Sequence, residues 1–395
     1  MITIGLLWHS LSSDNLGVGA LTESQIAICQ SAAQRAGVEV EYIVFGTVGG
    51  SSYAPQGVRL IKGSRVSIKQ MLTGRSPFLK ELERCDIVFD IGEGDSFADI
   101  YGLKRFLFLI ASKIAVLAKG KALVLSPQTI GPFDRWYART IAAIVMRRCQ
   151  QVFSRDGLSA AYLRKIGVVD NTDEVIDVAF RLPFAKPALR SDQRIRIGIN
   201  VSGLLFSGGY AGGNQFGLTL DYPDLIRRLL RSWAAMPGNE VWLIPHVIPD
   251  NIPNDDDRVA IDELIQEFPG VHRAPEFSSP SEAKSFIAGM DFVTGARMHA
   301  CIAAFSSGVP VMPLAYSRKF NGLFAALEYP WIADAKAMTT DQAYVAIIDG
   351  FERRAELAQC EIVGNCIAQA KLERYETFVM HAIQALDVSN ARHSF

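Results

Sequence analysis

Short apolar runs, each closed by a small or turn-forming residue and followed by a stretch with helical spacing, recur along the chain. In the first half they cover residues 2–8, 39–45, 87–91, 122–125 and 151–153. Strands that alternate with helices in this way are joined by crossovers, so the pattern predicts a parallel sheet. After Val178 the text becomes "RLPFAKPALRSDQR", a Pro/Arg-rich stretch that reads as an exposed linker. The alternation then restarts with residues 195–201, 241–244, 270–273, 292–294 and 309–314, separated by helical patterns such as 222–235 and 280–288. From about residue 340 to residue 386 the pattern is wholly helical. The expectation is an α/β protein with one domain over residues 1–188, a second over 189–335, and a helical segment, 336–395, packed across. Ligands of parallel sheets gather at the carboxyl ends of strands, which places the expected site in a cleft between the two domains.

Composition narrows the class. A chain of 395 residues is too long for one ordinary core, and 49% hydrophobic with 21% charged residues describes a globular protein. The 40 basic side chains nearly cancel the 41 acidic ones. No global field therefore attracts nucleic acid, and any anion recognition must be local. Six scattered cysteines, without a C-x-x-C pair, fit a reducing compartment. The opening "MITIGLLWHS" reads as a first strand and not as a signal peptide. The apolar stretch 106–117 is interrupted by Lys113 and is too short to span a bilayer. Residues 136–148 mix aromatic and basic side chains; they read as an ordinary packed helix, with a peripheral place at the inner face of a membrane left open. A cytoplasmic protein with no integral membrane segment is the expectation.

The candidate chemistry is concentrated in "TGARMHACIAAFSSGVPVMPLAYSRK". Arg297 and His299 stand at a strand-to-helix turn, and Lys319 lies just past the next strand. Free backbone N–H groups and the helix dipole favour an anion at such a turn. The plainer alternatives are that Arg297 caps a neighbouring carbonyl and that His299 is a satisfied core histidine. Other strand ends offer more polar groups. "DIGEGDSFADIYG" brings Glu93, Asp95 and Asp99, of which Asp95, like Ser96, also suits a helix cap. Arg155 in "FSRDG" either pairs with Asp156 or faces the cleft, and His246 ends the strand of "WLIPHVIPD". Asn200 closes a strand before the glycine-rich residues 203–217, which suit either a lid over a ligand or a plain surface loop. The carboxylates near Asp95 have no His/Cys cluster beside them, so no metal and no cofactor are expected.

Taken in order, "DNLGVGAL", "GEGD", "SPQTIGPF", "SRDGLSAAYLRKIGV", "DVAF" and the Arg297–Lys319 stretch give the chain a pattern that resembles the polysaccharide pyruvyl transferase family. One departure is Val18 after Gly17, where the family often has an acid; Asp14 stands three residues before the glycine. The resemblance implies two Rossmann-like domains of the glycosyltransferase-B-like type and transfer of the enolpyruvyl unit of phosphoenolpyruvate onto sugar hydroxyls as a ketal, with release of phosphate. Phosphoenolpyruvate would be a co-substrate, and the acceptor a polysaccharide, its precursor or a glycoconjugate, lipid-linked forms included; a homo-oligomer is left open. The family's Arg-x-His motif matches Arg297 and His299. On chemical grounds a small dianion needs clustered cations, which Arg297, Lys319 and Arg155 would supply, and a proton donor, for which His299 is suited. Glu93, Asp95, His246 and Asn200 are candidates for contacting the acceptor or supporting the site. Two rival readings stay open: a nucleotide-sugar glycosyltransferase of the same architecture, whose corresponding turn would hold Gly and Ser/Thr followed by a helical Glu, and a non-catalytic carbohydrate-binding protein.

Overall fold

A computed structural model of the chain describes residues 1–46, 53–94, 96–188 and 190–393. The first sheet is built from β1 (Ile2–Leu7), β2 (Val40–Phe45), β3 (Leu60–Lys62), β4 (Ile87–Asp90), β5 (Ala122–Gln128), β6 (Gln151–Ser154) and β7 (Thr172–Glu174), in the order β3-β2-β1-β4-β5-β6-β7. The second is built from β8 (Ile195–Asn200), β9 (Asn239–Ile244), β10 (His272–Arg273), β11 (Phe292–Gly295), β12 (Val311–Ala315) and β13 (Ala333–Asp334), in the order β10-β9-β8-β11-β12-β13. Neighbouring strands within both sheets are parallel. Each sheet reverses its winding once, between β1 and β4 and between β8 and β11, so the carboxyl ends of those pairs are the switch points where a crevice opens.

Central strands explain why the apolar runs were readable. Every residue of β1 and of β4 is buried, because helices cover both faces of a parallel sheet and leave no polar alternation. The three strands that no run announced, β3, β7 and β13, lie at sheet edges and carry polar residues such as Thr172, Asp173 and Glu174. An edge strand pairs on one side only and need not be apolar.

The chain divides into two compact units, one comprising Met1–Ser13, Leu21–Arg181 and Ala368–Phe395, the other Asp14–Ala20 and Leu182–Ile367. The boundary falls at Arg181, earlier than the expected residue 188, and residues 336–395 are not a segment of their own. Helix Thr340–Glu352 belongs to the second unit, where Tyr344 shares a 2.6 Å hydroxyl hydrogen bond with Ser232 and Asp341 pairs with Arg228 at 2.6 Å. The last part of helix Arg354–His393 belongs to the first: the Tyr375 hydroxyl meets Gln25 Oε1 at 2.7 Å and Ser126 Oγ at 3.1 Å, and its ring stacks edge-on against Phe153. The terminal helices thus complete two cores. Residues 14–20, drawn from the amino-terminal loop, group with the second unit, and this matters for the site.

Candidate functional site

The β8/β11 switch point carries the residues singled out by sequence. Asn200 and Gly295 end these strands side by side in register. A β-carbon on Gly295 would fall 2.6 Å from that of Asn200, so glycine is the residue that admits the asparagine side chain. Asn200 Oδ1 accepts from the Arg297 amide at 2.8 Å, and its Nδ2 donates to the Ile244 carbonyl at 3.0 Å. The asparagine is fully buried, and it ties the end of β9 to the turn after β11. It therefore supports the site and does not present itself to a ligand.

Arg297 is the N-cap of helix Met298–Ser307, in an extended conformation that turns its side chain away from the helix. Its Nε and Nη2 reach Asp257 Oδ1 at 3.2 and 2.6 Å, and Nη2 also meets the Asp255 carboxylate at 2.7 Å and the Asp255 carbonyl at 2.9 Å. Asp257 is wholly buried; its Oδ1 further accepts from the Gly203 amide at 2.8 Å, and its Oδ2 from the His246 and Val247 amides, each at 2.9 Å. A buried charge persists only when paired and hydrogen-bonded, and this network does both. Burial works against the guanidinium charge, but the carboxylates of Asp257 and Asp255 outweigh it and hold Arg297 above its ordinary range. One edge of the guanidinium fork is thus already engaged, including with a carbonyl of the kind the plainer reading anticipated, and Nη1 takes no part in these bonds.

His299 is the second residue of the same helix and is partly exposed, whereas its neighbours Met298 and Ala300 are buried. Its ring is approached by Gly17. A β-carbon built at Gly17 would lie 2.9 Å from His299 Cγ, closer still to Nδ1, and 3.0 Å from Asn15 Oδ1. The first loop is brought there by main-chain pairing: the Leu16 amide donates to the His246 carbonyl at 3.0 Å, the Ile248 amide donates to the Asp14 carbonyl at 2.8 Å, and Asn15 bridges Val247. Gly17 of "DNLGVGAL" is thus the gap into which the imidazole fits. Gly17→Ala is expected to displace the ring and to lower kcat by roughly tenfold or more while leaving the melting temperature within a few degrees, since alanine favours the helix that Leu16 begins. Steady-state kinetics beside a thermal melt check this; an unchanged kcat would show that the ring position does not matter.

His246 is buried, and no hydrogen-bond partner meets either ring nitrogen among the described residues. Burial pushes its imidazole down to about 3, with the charges of His299 and Arg297 adding to the effect. It stays neutral around neutral pH and does not offer the acidic proton of an imidazolium. Lys319 follows Arg318 in the first turn of helix Arg318–Ala325, directly after β12, the neighbour of β11. The glycine-rich residues 203–217 start as a short helix, Gly203–Phe206, and border the same region: Phe216 packs edge-on against Tyr316 at 5.4 Å, and the Tyr210 hydroxyl lies 3.5 Å from Asp255 Oδ2.

The described candidates of the first unit have structural partners. Arg155 is buried, with Nη1 on Asp177 at 2.6 Å and Nε on Thr129 at 2.9 Å, so its charge is paired within its own unit, while its buried Nη2 meets no partner among the described residues; the ion-pair partner is not Asp156, which caps helix Gly157–Lys165 by accepting from the Ser159 amide. Glu93 pairs with Arg105 at 2.7 Å. Asp99 accepts from the Asp134 and Arg135 amides at 2.8 and 3.0 Å. Asp95 lies outside the described residues, and the helix it was expected to cap begins at Leu103 behind Gly102. Asp255, Asp257 and Gly17 are the site residues that sequence reasoning missed. The acidic run of residues 255–257 after a strand end and the paired glycines of "DNLGVGAL" were the available signals.

Solved structures place the fold. HepE of Anabaena in complex with UDP and glucose superposes with a TM-score of 0.58 at 14% identity over 98% of this chain and 100% of that one. UDP-GlcNAc 2-epimerase from Neisseria meningitidis bound to UDP-GlcNAc gives 0.56 at 11% identity over 96% and 100%. The protein has a glycosyltransferase-B-like α/β fold, and its site residues stand at a strand-to-helix turn. The family model for polysaccharide pyruvyl transferase matches residues 15–318, and the chain belongs to that family; it is a transferase. The amylovoran biosynthesis protein AmsJ of Erwinia amylovora is 24% identical over 288 residues, 69% of this chain and 67% of that one.

Proposed function

We propose that the protein transfers the enolpyruvyl unit of phosphoenolpyruvate onto two hydroxyls of a sugar, in a polysaccharide or its precursor, forming a pyruvate ketal and releasing phosphate. The observation that carries the reading is the partly exposed His299 in the first helical turn, held by Gly17 on one side and standing beside a charged Arg297. His299 protonates the methylene carbon, one sugar hydroxyl attacks the resulting electrophilic carbon and returns its proton to His299, and the second hydroxyl displaces phosphate, which departs with that hydroxyl's proton, to close the ketal. Lys319 and the Nη1 edge of Arg297 hold the phosphate and carboxylate of the donor. Asp257 and Asp255 fix the orientation of that edge, since they occupy the other one.

The test is to incubate the full chain with phosphoenolpyruvate and a panel of free, nucleotide-linked and lipid-linked sugars, following phosphate release and the mass of the acceptor. A pyruvyl gain matched by phosphate supports the proposal. UDP release from a nucleotide sugar, with no consumption of phosphoenolpyruvate, would replace it with the glycosyltransferase alternative, which the ligands of HepE make the one to include. Lys319→Ala is expected to weaken phosphoenolpyruvate binding by about 1.5–3 kcal/mol in calorimetry, the usual worth of a hydrogen bond to a charged group. Unchanged affinity would remove Lys319 from the donor site. Turnover is expected to persist in chelator, because the proposed step uses a proton donor and cations of the chain itself; restoration of lost activity by one added metal would overturn that mechanism.

A further inference from the structure

Helices Leu103–Ala118 and Trp136–Met146 form one layer of the first unit. They are the crossovers of β4 to β5 and β5 to β6, consecutive strands progressing in one direction across the sheet, so right-handed connections put both on the same face. Their inner sides are accounted for. Phe106, Leu109, Ile110 and Val116 of the first helix, and Ala138, Ala142, Val145 and Met146 of the second, join the core beneath.

The outer sides are not. A surface helix ordinarily turns charged residues outward, opposite its buried stripe. Here Leu103, Leu107 and Ile114 recur along the outside of the first helix, Leu107 and Ile114 each 46% exposed. On the second helix Ile141 and Ile144 are exposed, and Trp136 at its start is 71% exposed. Neither helix contains a carboxylate, whereas Lys104, Arg139, Arg147 and Arg148 are exposed on or directly after them. Arg147 and Arg148 donate to main-chain carbonyls, which leaves their charge uncompensated. In a chain of net charge −1, this is a local concentration of apolar and cationic groups.

We infer that this two-helix face docks on the surface of a bilayer containing anionic lipids. The aliphatic stripe and Trp136 enter the headgroup boundary, and the four cations meet lipid phosphates. A second copy of the chain is the poorer occupant, because neither helix carries an acid with which a twofold copy could neutralise these cations. No helix among the described residues is long and apolar enough to cross a membrane, so the contact is interfacial. The surface stands whatever donor the transferase uses.

Co-sedimentation of the full chain with phosphatidylcholine vesicles, alone or mixed with phosphatidylglycerol, tests this. Binding is expected only to the anionic vesicles, weakening as salt rises, and lipids brominated on their acyl chains should quench a tryptophan signal that Trp136→Phe removes. The triple variant Leu107→Gln, Ile114→Gln, Trp136→Ser changes exposed positions only and is expected to keep its thermal melt while losing on the order of tenfold or more in partitioning. Arg139→Glu with Arg148→Glu should lose a similar factor. Absence of binding to anionic vesicles at low salt, or binding that the folded triple variant retains, overturns the inference. A dimer in analytical ultracentrifugation that the triple variant dissociates, without vesicle binding, overturns it in favour of self-association.

Discussion

His299→Gln is expected to cut turnover by roughly a hundredfold to ten-thousandfold while phosphoenolpyruvate still binds, the usual cost of losing a positioned proton donor. Glutamine preserves the size of the side chain and much of its hydrogen bonding, but it cannot pass a proton to the methylene carbon. The environment makes the variant informative. The ring sits against the Gly17 main chain and points from a helix whose first cap, Arg297, is held in place by Asn200, Asp255 and Asp257, so the substitution leaves the charged framework intact. Single-turnover kinetics with saturating donor separates chemistry from binding. Turnover within a few-fold of the parent would make His299 a structural residue, and His246 would not inherit the role, because its buried ring stays neutral far below neutral pH.

The largest stability effect is expected at Asp257. Both of its oxygens are occupied, Oδ1 by Gly203 and Arg297 and Oδ2 by the His246 and Val247 amides. Asparagine can present an acceptor on one side only, so Asp257→Asn turns an amide N–H toward groups that are themselves donors. It also leaves the buried guanidinium short of a counter-charge. Breaking a buried pair in this way costs about 3–5 kcal/mol. Burial pushes the Asp257 carboxyl upward, against the pull of Arg297 and of the main-chain donors, which marks the network as one sustained by mutual satisfaction. Urea denaturation and hydrogen exchange at the Gly203, His246 and Val247 amides are the measurements. Undiminished protection at those three amides would mean that the network is dispensable. Arg297→Ala in the Asp257→Asn background should cost less than in the parent, because the two side chains act as one unit.

Asp257 and Gly17 also mark the limit of what could be read from the chain. Period and run length revealed the central strands and the two-fold repetition of strand-helix units, and the turn after β11 was placed with Arg297 and His299 together. These are local signals. A buried parallel strand is apolar over most of its length, and ligands of such a sheet gather at the strand ends, so neither signal depends on which distant residue lies opposite. The edge strands β3, β7 and β13 escaped because a single pairing partner imposes no such run.

By itself the sequence determined the α/β class, the two-unit layout and the strand ends at which chemistry can occur, because backbone hydrogen bonding and burial impose periodicities that a linear text records. Only the tertiary structure decided that Arg297 shares its charge with Asp255 and Asp257, that Arg155 spends its own on Asp177, and that Gly17 gives His299 its place. A charge-assisted hydrogen bond forms only at contact distance, and the fit of a ring against a main chain is decided by fractions of an ångström. Such contacts join positions far apart in the chain, and no spacing along it encodes them.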